Sequence, residues 1–405
     1  MQLDESCHVQ KRQDNVVDAW YMKDIAFISN EPTPYRLHLL KRLADEHPTL
    51  RVHSIFTHTF DSAHVPWQMD LSQIPRTVFF KDEALGQKNT FTQCWRLASQ
   101  ICRYIQSRNI KMIVLNGYGD WCRMMIIRWA KKRGIAVLLR GDSNIHGQEK
   151  ITGMRAMLKR TMLRWVAKRI TALMPMGRCG QQFFDHWMKP HDLPSFICPY
   201  EPDYSRIQNC GPRCCSAFIK DKQLDADRRH FLYCGRLIDI KNVDLIITAF
   251  ERISRQRPDW DLLIAGTGNL EAKLKAMVTD QIKKRVKFLG FLQFDQTVAC
   301  YCASHVLVHP PSYEPWALVI NEAVAAGLPI IATDVVGAAN ELIEPGVNGL
   351  LIKPNDVDVL TDAMLQISDG DTAHQMGAKA REVLQRWQDK ADPVMAIVNV
   401  AQQYA

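Results

Sequence analysis

Two carboxylates stand eight positions apart in one apolar segment. Glu314 precedes Pro315, and the apolar residues continue to Gly327. Proline is favoured in the first turn of a helix and glycine just past its end. The sequence therefore predicts a helix over about 315–326, with Glu314 near its N-cap. Glu322 would lie at most about 12 Å further along, at about 1.5 Å per residue. Both carboxylates could accept hydrogen bonds from hydroxyl groups.

The start of this helix could also bind an anion. The backbone amides of Trp316, Ala317 and Leu318 would have no partner within the helix. Together with the helix dipole they favour a phosphate. A nucleotide-sugar presents hydroxyl groups on both sides of a diphosphate, so it would satisfy the amides and both carboxylates. The alternative is an ordinary amphipathic helix with two solvated glutamates.

Two cations follow an earlier apolar run that we predict to be a strand, 230–235. Arg236 comes directly after this run and Lys241 five residues later. Arginine offers a planar fork of donors to phosphate oxygens, and lysine offers a compact charge. Gly266 and Gly268 follow the next predicted strand. A lone Gly-Thr-Gly is equally typical of a simple strand-to-helix turn, and an isolated pair of cations carries little information.

The segment EPWALVINEA, followed by GLPIIATDVVGAANELI, resembles the E-x7-E region of retaining glycosyltransferases of family GT4. These enzymes have the GT-B fold and include glycogen synthases and mannosyltransferases. The resemblance implies that Glu314 contacts the transferred sugar and that Glu322 binds the ribose hydroxyls. The family usually has glycine where this chain has Ala317.

The sequence GRLIDIKN resembles the family motif G-R-L-x3-K-[GN]. The resemblance implies that Arg236 and Lys241 hold the donor diphosphate and stabilise its charge as the sugar leaves. It also implies that Gly266 and Gly268 form the glycine turn of the donor site.

The fold that the resemblance implies is GT-B, with two Rossmann-like, doubly wound parallel-sheet domains facing across a cleft. The alternation of apolar runs with helical segments independently favours βαβ units. We expect a loosely attached N-terminal extension, an acceptor domain, a linker, a donor domain, and a final helix that returns to the acceptor domain. Their expected ranges are 1–22, 23–205, 206–229, 230–384 and about 385–405.

Polar residues follow the first predicted strand, 24–29. Pro34, Tyr35 and Arg36 are expected in a loop before a helix that begins at about residue 37. The carboxyl ends of parallel strands are where α/β sheets bind ligands. The resemblance implies that this loop faces the donor diphosphate, through Pro34 and Arg36, and touches the acceptor, through Tyr35. The alternative for Arg36 is a surface charge at a helix N-terminus.

A second polar loop follows the predicted strand 135–140. The resemblance implies acceptor and catalytic residues here, with Asp142 as the carboxylate and with Arg140 and His146 as acceptor-binding groups. The alternative is a polar turn that connects a strand to a helix.

Positive charge is concentrated in residues 101–200, which contain 18 Lys and Arg against 5 Asp and Glu. The stretches 121–133 and 155–169 interleave Arg and Lys with Trp, Met and Leu at helical spacing. This pattern favours helices that lie on an anionic membrane surface. A partly buried helix with snorkelling basic ends is the alternative. Nucleic acid is a third possibility, but no binding motif supports it.

The 12 cysteines are mostly scattered through apolar runs, which predicts reduced thiols in a cytoplasmic protein. No apolar run approaches the ~20 residues of a membrane span, so any membrane contact would be peripheral, at the inner face. Cys210, Cys214 and Cys215 form the only tight cluster in the sequence, without a fourth metal ligand at recognisable spacing.

We expect neither a metal nor another cofactor. The sequence Asp369-Gly370-Asp371 resembles the metal motif of the other glycosyltransferase fold, but it falls between two predicted helices and is better interpreted as a loop. Arg236, Lys241 and the helix N-terminus would neutralise the leaving diphosphate instead.

The resemblance thus implies a retaining, hexosyltransferase-like enzyme. It would move a sugar from a nucleotide-diphosphate-sugar to an acceptor hydroxyl in cell-envelope polysaccharide or glycolipid synthesis. The acceptor would be a glycan or a lipid-linked molecule. The alternative is a non-catalytic scaffold that binds nucleotide-sugars at the membrane surface.

Overall fold

The computed structural model describes residues 23–57, 67–72, 74, 76–80, 90–148 and 151–404. The predicted extension 1–22 lies outside the described residues. The chain divides into two compact units. The first comprises the chain up to Arg140, Val166–Leu173 and the chain from Ile397 onward, and the second comprises Gly141–Trp165 and Met174–Ala396.

The first sheet has six strands in the order β3-β2-β1-β4-β5-β6. The neighbouring strands β4 and β5 are mainly apolar, and all of their residues except Asn116 are buried, as expected inside a parallel sheet covered on both faces. The strands are β1 (Lys23–Ser29), β2 (Leu50–Phe56), β3 (Thr77–Phe79), β4 (Met112–Asn116), β5 (Ala136–Gly141) and β6 (Ala172–Pro175).

Helices connect these strands, and two of them begin at side-chain caps that the sequence encodes. Thr90 and Gln93 form a reciprocal capping box, and Asp120 accepts a hydrogen bond from the backbone amide of Arg123. The helices are α1 (Pro34–Glu46), α2 (Phe91–Ser107), α3 (Trp121–Lys132), α4 (Gly153–Ala167) and α5 (Arg178–Met188).

The second sheet has the order β12-β11-β10-β7-β8-β9. Its central strands are almost inaccessible to solvent; all six residues of β8, for example, are buried. The strands are β7 (Arg229–Cys234), β8 (Trp260–Ala265), β9 (Val286–Gly290), β10 (Val306–His309), β11 (Ile330–Thr333) and β12 (Gly349–Ile352).

The remaining helices begin at Tyr204. They are α6 (Tyr204–Gln208), α7 (Pro212–Asp221), α8 (Val243–Ile253), α9 (Glu271–Met277), α10 (Phe294–Cys302), α11 (Leu318–Ala326), α12 (Ala339–Leu342), α13 (Val357–Ile367), α14 (Thr372–Gln388) and α15 (Pro393–Tyr404). The stretch 206–229, predicted as a linker, thus contains most of α6 and all of α7, and Phe218 of α7 joins a buried core cluster.

Both sheets have the strand order of a doubly wound Rossmann fold. In each, the order reverses between the first and fourth strands, which are β1 and β4 in one sheet and β7 and β10 in the other. The prediction of two doubly wound parallel sheets is confirmed. Ligands of such sheets bind beyond the carboxyl ends of the strands at this reversal. Arg236 and Lys241 follow β7, and Glu314 follows β10, so all three lie at the reversal of the second sheet.

The C-terminal prediction was partly wrong. One continuous final helix over about 385–405 was expected. The structure instead has α14 and α15, separated by four residues, because proline cannot supply an amide to a continuing helix. Within the first unit, the ammonium of Lys23 donates to the carbonyl oxygen of Ala401 at 3.1 Å.

Candidate functional site

The loops after β7 and β10 are joined by hydrogen bonds. The Asn242 side chain donates to the carbonyl oxygen of Pro310 at 3.1 Å, and the Ser312 amide donates to the carbonyl oxygen of Ile240 at 2.9 Å. Asn242 has φ 53° and turns the chain sharply from the short helical turn Asp239–Lys241 into α8. These contacts fix Lys241 beside the loop that carries Glu314.

Lys241 and Glu314 form an ion pair. Their side chains are only 11% and 15% exposed, so each charge depends on the other for compensation. Burial, reinforced by the nearby charge of Arg236, lowers the pKa of Lys241 to about 8. The contact with Glu314 opposes this lowering, because an adjacent carboxylate favours the charged amine. A diphosphate that arrives here would meet a lysine whose charge is poorly solvated.

His309, the last residue of β10, lies against the same pair. Its Nε2 is 3.8 Å from a carboxylate oxygen of Glu314, and its ring stacks on Tyr233 with centroids 6.2 Å apart. Burial, and then the charge of Lys241, hold the pKa of His309 well below its usual range. The imidazole is therefore neutral, and neither ring nitrogen has a hydrogen-bond partner among the described residues.

Glu322 lies on α11 and accepts a hydrogen bond from the Tyr301 hydroxyl at 2.7 Å. Burial raises the pKa of Glu322 to about 7, and the hydrogen bond only partly opposes this rise. A half-buried carboxylate with one protein donor retains capacity to accept from a ligand, since an ionised carboxylate has about four lone-pair positions.

Helix α11 begins at Leu318, not at Pro315 as predicted. The segment before it pairs with residues 336–338. The amides of Gly337 and Ala338 donate to the carbonyl oxygens of Glu314 (3.3 Å) and Trp316 (2.8 Å). These contacts hold the segment outside the helix, so the first free helical amides belong to Leu318 and Val319.

The two residues before the helix have structural roles that the sequence did not indicate. The Trp316 side chain is buried and lies 6.0 Å, centroid to centroid, from the ring of Trp387. Ala317 is the N-cap, with φ 74°. The left-handed conformation costs an L-residue roughly 1–2 kcal/mol and is free of this cost in glycine.

Gly266 and Gly268 form a tight turn, as predicted, and the structure gives a steric reason for both. A Cβ at Gly266 would lie 1.9 Å from the carbonyl oxygen of Gly235, and one at Gly268 would lie 2.2 Å from that of Leu237. The turn therefore packs backbone to backbone against the loop that carries Arg236. Their role in donor binding stays a prediction.

Arg236 is exposed, and no ion pair or hydrogen bond of its guanidinium is found within the described part of the chain. The backbone carbonyl of Arg236 accepts a hydrogen bond from the buried Tyr233 hydroxyl at 2.7 Å. The loop is thus held while its charged end remains available to a phosphate.

The loop after β5 reaches Glu314 through an unexpected residue. Asn144 is fully buried, and its side chain donates to the carbonyl oxygens of Glu314 (3.3 Å) and Val335 (3.1 Å). Its side-chain oxygen accepts from the amide of His146 at 2.9 Å. Asp142, the predicted carboxylate, is exposed. Asn144 thus positions the backbone of Glu314.

The other predicted residues lie in the first unit or at its boundary. Arg140 is buried near the end of β5. Pro34, Tyr35 and Arg36 form the first turn of α1, so the helix begins three residues earlier than predicted; proline suits the first helical position. The Arg36 guanidinium donates to the carbonyl oxygen of Glu31 at 2.7 Å and lies 5.5 Å from the centroid of the Tyr35 ring.

Three residues near the candidate carboxylates were missed by sequence reasoning. His309 could have been found, because it ends a strand at the edge where α/β sheets bind ligands. Asn144 lay in a loop already singled out, but nothing distinguished it from its neighbours. Tyr301 gave no signal, since its partner Glu322 is remote in sequence.

No helix among the described residues combines the length and the hydropathy needed to cross a membrane. In the same residues no group of three or more His, Cys, Asp or Glu side chains could hold a metal ion. Asp369 pairs with Arg257 at 3.0 Å, and Asp371 is the N-cap of α14, so the Asp-Gly-Asp stretch is a loop between helices.

Sequence similarity to known proteins is clearest in the second unit. Residues 216–383 match the model of the family described as Glycosyl transferases group 1. A mannosyltransferase of Corynebacterium glutamicum is 32% identical over 155 residues, and its name specifies a GDP-mannose-dependent enzyme acting on monoacylated phosphatidylinositol monomannoside. The match covers 36% of this chain and 40% of that protein. The chain therefore spans less than half the length of this relative.

Solved structures match over nearly the whole chain. The sucrose-phosphate synthase of Thermosynechococcus elongatus superposes with a TM-score of 0.73 at 20% identity, covering 94% of this chain and 98% of that one. HepE of Anabaena, in a structure with UDP and glucose, gives 0.71 at 16% identity, covering 94% and 99%. The fold is GT-B, as predicted, and the matches together support a glycosyltransferase.

Proposed function

We propose that this chain is a retaining glycosyltransferase of the GT4 kind that uses a nucleotide-diphosphate-sugar and needs no metal. The observation that carries the proposal is the ion pair of Lys241 with Glu314 at the strand-order reversal of the second sheet. Arg236, on the loop that leads to Lys241, is exposed and forms no ion pair with any residue that the structure describes. A buried ion pair often stabilises a fold no more than apolar side chains of similar volume would. Its position, where this fold binds ligands, therefore favours a role in binding.

The donor diphosphate would lie between the two cations and the free amides of α11. Arg236 and Lys241 would supply charged hydrogen bonds, and the helix N-terminus would add its dipole. Charge develops on the leaving phosphate as the sugar–oxygen bond breaks. Lys241 and the amides of α11 are already held in place, so they would stabilise that charge with little reorganisation.

The two glutamates would divide the rest of the donor. Glu314 lies beside Lys241 and would accept hydrogen bonds from the transferred sugar, whereas Glu322 would accept from the ribose. Glu314 is tied to Lys241, so we assign it no nucleophilic role. Retention would then follow from attack on the face that the diphosphate leaves, with the leaving phosphate oxygen taking the proton of the acceptor hydroxyl.

We assign further contacts with the donor and the acceptor to residues in the first half of the chain. Pro34, Tyr35 and Arg36 would contribute to the donor and acceptor sites, as would Arg140, Asp142 and His146. We propose a glycan or lipid-linked acceptor in cell-envelope polysaccharide or glycolipid synthesis. The name of the Corynebacterium relative specifies a lipid acceptor, which supports a lipid-linked acceptor and glycolipid synthesis. No role for nucleic acid is proposed.

A panel of nucleotide-sugars tests the donor proposal. Thermal shift identifies the sugar nucleotides that bind, and hydrolysis without acceptor is then measured for each. We expect slow hydrolysis of at least one ligand and its loss in Arg236→Ala. Binding without hydrolysis, and without transfer to any glycan or lipid acceptor, would instead support a non-catalytic nucleotide-sugar scaffold.

We also propose a peripheral location at the inner face of the membrane, through α4. Met154, Met157 and Leu158 are 73%, 62% and 61% exposed and lie within four residues of each other, so they share one helix face. Arg155 beside them is exposed. An exposed apolar face flanked by positive charge is suited to an anionic lipid surface.

The structure changes which basic residues belong to that surface. The Lys159 ammonium lies 4.8 Å from the ring centroids of both Phe183 and Trp187, and the Arg164 guanidinium donates to the carbonyl oxygen of Lys189 at 2.7 Å. These cations pack against protein. The stretch 121–133 is less suited still, because Arg123 is buried and bonded to Asp120 and Asn30.

Liposome flotation tests the membrane proposal. Replacing Met154, Met157 and Leu158 with Ser should reduce binding to anionic vesicles at least tenfold, because each exposed apolar side chain contributes roughly 1–2 kcal/mol on insertion. Met395→Ser is the matched control, since Met395 is 44% exposed on a different helix. Equal flotation of the triple variant and the parent would contradict the assignment of α4.

A further inference from the structure

A basic cavity lies in the first unit at the amino-terminal edge of its sheet. It has a volume of about 510 Å³ and is lined by the guanidinium-bearing residues Arg51, Arg76 and Arg108. Arg51 is the second residue of β2 and Arg76 directly precedes β3, whereas Arg108 caps the C-terminus of α2. In the same sheet, the candidate residues Pro34, Tyr35 and Arg36 follow the carboxyl end of β1. The basic cavity therefore lies at the edge of the sheet opposite to these residues.

The charges that line the cavity do not balance. Asp24 is the only acidic residue of the described lining, and it is engaged by Arg51 and by the Nε2 of His53 at 2.8 Å. Burial lowers the pKa of His53, so the imidazole is neutral near pH 7. Two guanidinium groups, those of Arg76 and Arg108, therefore have no carboxylate partner within the described residues.

The surroundings of Arg108 partly explain why a cation without a carboxylate partner lies there, whereas those of Arg76 do not. Arg108 lies at a helix C-terminus, where a cation is favourable, and its guanidinium is 5.7 Å from the centroid of the Tyr104 ring. Arg76 makes no ion pair in the described chain and has φ 54°, a conformation that is uncommon for a residue other than glycine. Convergent like charges repel, so the arrangement favours an anionic ligand.

A second cavity adjoins the first and supplies an aromatic surface. It measures about 490 Å³, shares Tyr104 and Ser107 with the basic cavity, and is lined by Phe79 and Phe80. The Phe80 and Tyr104 rings meet edge to face with centroids 5.8 Å apart. Aromatic faces next to guanidinium groups suit a ring with an apolar face and a charged substituent.

We propose that the two cavities together bind a sugar that carries a phosphate or a carboxylate. Arg76 and Arg108 contact the anionic group, and Phe80 and Tyr104 contact the apolar face of the sugar ring. The site is separate from the proposed donor site and does not depend on the glycosyltransferase proposal.

Calorimetry with the full chain tests the site. Inorganic phosphate, glucose 6-phosphate, glucuronate and glucose are titrated into the Arg236→Gln variant, which removes a phosphate contact of the proposed donor site. We expect the three anions to bind with Kd of about 1 mM or tighter, and glucose not to bind. The double change Arg76→Gln and Arg108→Gln should weaken phosphate binding by roughly ten- to a hundredfold, as expected for lost charged hydrogen bonds.

Two further variants sharpen the result. Arg96→Gln removes an exposed arginine from the same helix as Arg108 and lines neither cavity, so it should bind phosphate like its parent. Phe80→Ala should reduce the preference for glucose 6-phosphate over inorganic phosphate while leaving phosphate affinity unchanged. Absence of anion binding, or binding unaffected by the double arginine change, would overturn the proposal.

Discussion

The protonation of Glu322 can be tested through both stability and binding. The half-buried carboxyl should stabilise the protein when it is protonated and should accept hydrogen bonds from the ligand when it is ionised. Burial raises its pKa from 4.5 to about 7 in the folded chain. Below pH 4.5 the carboxyl is protonated in both folded and unfolded states. As pH rises, the unfolded chain loses this proton first, so the stability due to the protonated group declines and is lost by about pH 7.

The size of the effect follows from the shift. A change of 2.5 pKa units corresponds to about 3 kcal/mol, at roughly 1.4 kcal/mol per unit. Glu322→Gln removes the ionisation and keeps an oxygen that accepts from the Tyr301 hydroxyl. The variant should therefore match the parent near pH 4.5 and be more stable by up to about 3 kcal/mol at pH 8. At roughly 2–4 °C per kcal/mol, its Tm at pH 8 should be about 6–12 °C higher at most.

Thermal unfolding at a series of pH values measures this difference, and Glu382→Gln is the control. Glu382 is 57% exposed and pairs with Lys379, so its replacement should change Tm little and without this pH dependence. In parallel, calorimetry with the matching nucleoside diphosphate should show weaker binding to Glu322→Gln, most clearly at pH 8, where the parent carboxylate can accept from the ribose. A Tm difference that is the same at pH 5 and pH 8 would refute the reasoning.

The remaining predictions concern the charged groups around the donor. Arg236→Ala and Lys241→Ala should each raise donor KM and lower kcat, by roughly ten- to a hundredfold for a lost charged hydrogen bond; unchanged steady-state kinetics in both would contradict the diphosphate assignment. Glu314→Gln should lower kcat with little change in nucleoside diphosphate affinity, because its contacts strengthen in the transition state; a loss of product affinity by calorimetry would count against that role. Activity should survive EDTA, and complete loss that Mg²⁺ or Mn²⁺ restores would disprove metal independence.

The sequence predicted most of the strand framework for a simple physical reason. Parallel strands buried on both faces are continuous apolar runs, and those at Met112, Trp260 and Ile330 are recognisable without any knowledge of their neighbours. The short strand β3 was missed, because its three residues form no such run.

The candidate site was predicted in its residue types but not in its local geometry. Proline at position 315 suggested a helix start, but the carbonyl oxygens of Glu314 and Trp316 bind amides of a distant loop, so the helix begins later. The pairing of Lys241 with Glu314 and the position of Asn144 depend on tertiary contacts between segments far apart in sequence. No local pattern could have indicated them.

The configuration of the released sugar tests the central proposal most directly. A nucleotide-sugar that the parent protein turns over is followed by proton NMR from the start of the reaction, before the free sugar mutarotates, and the same donor is given to Glu314→Gln. We predict that the first sugar formed has the anomeric configuration of the donor and that the variant forms it much more slowly. Release of the opposite anomer would contradict a retaining transferase, and an equal rate in the variant would contradict the role assigned to Glu314.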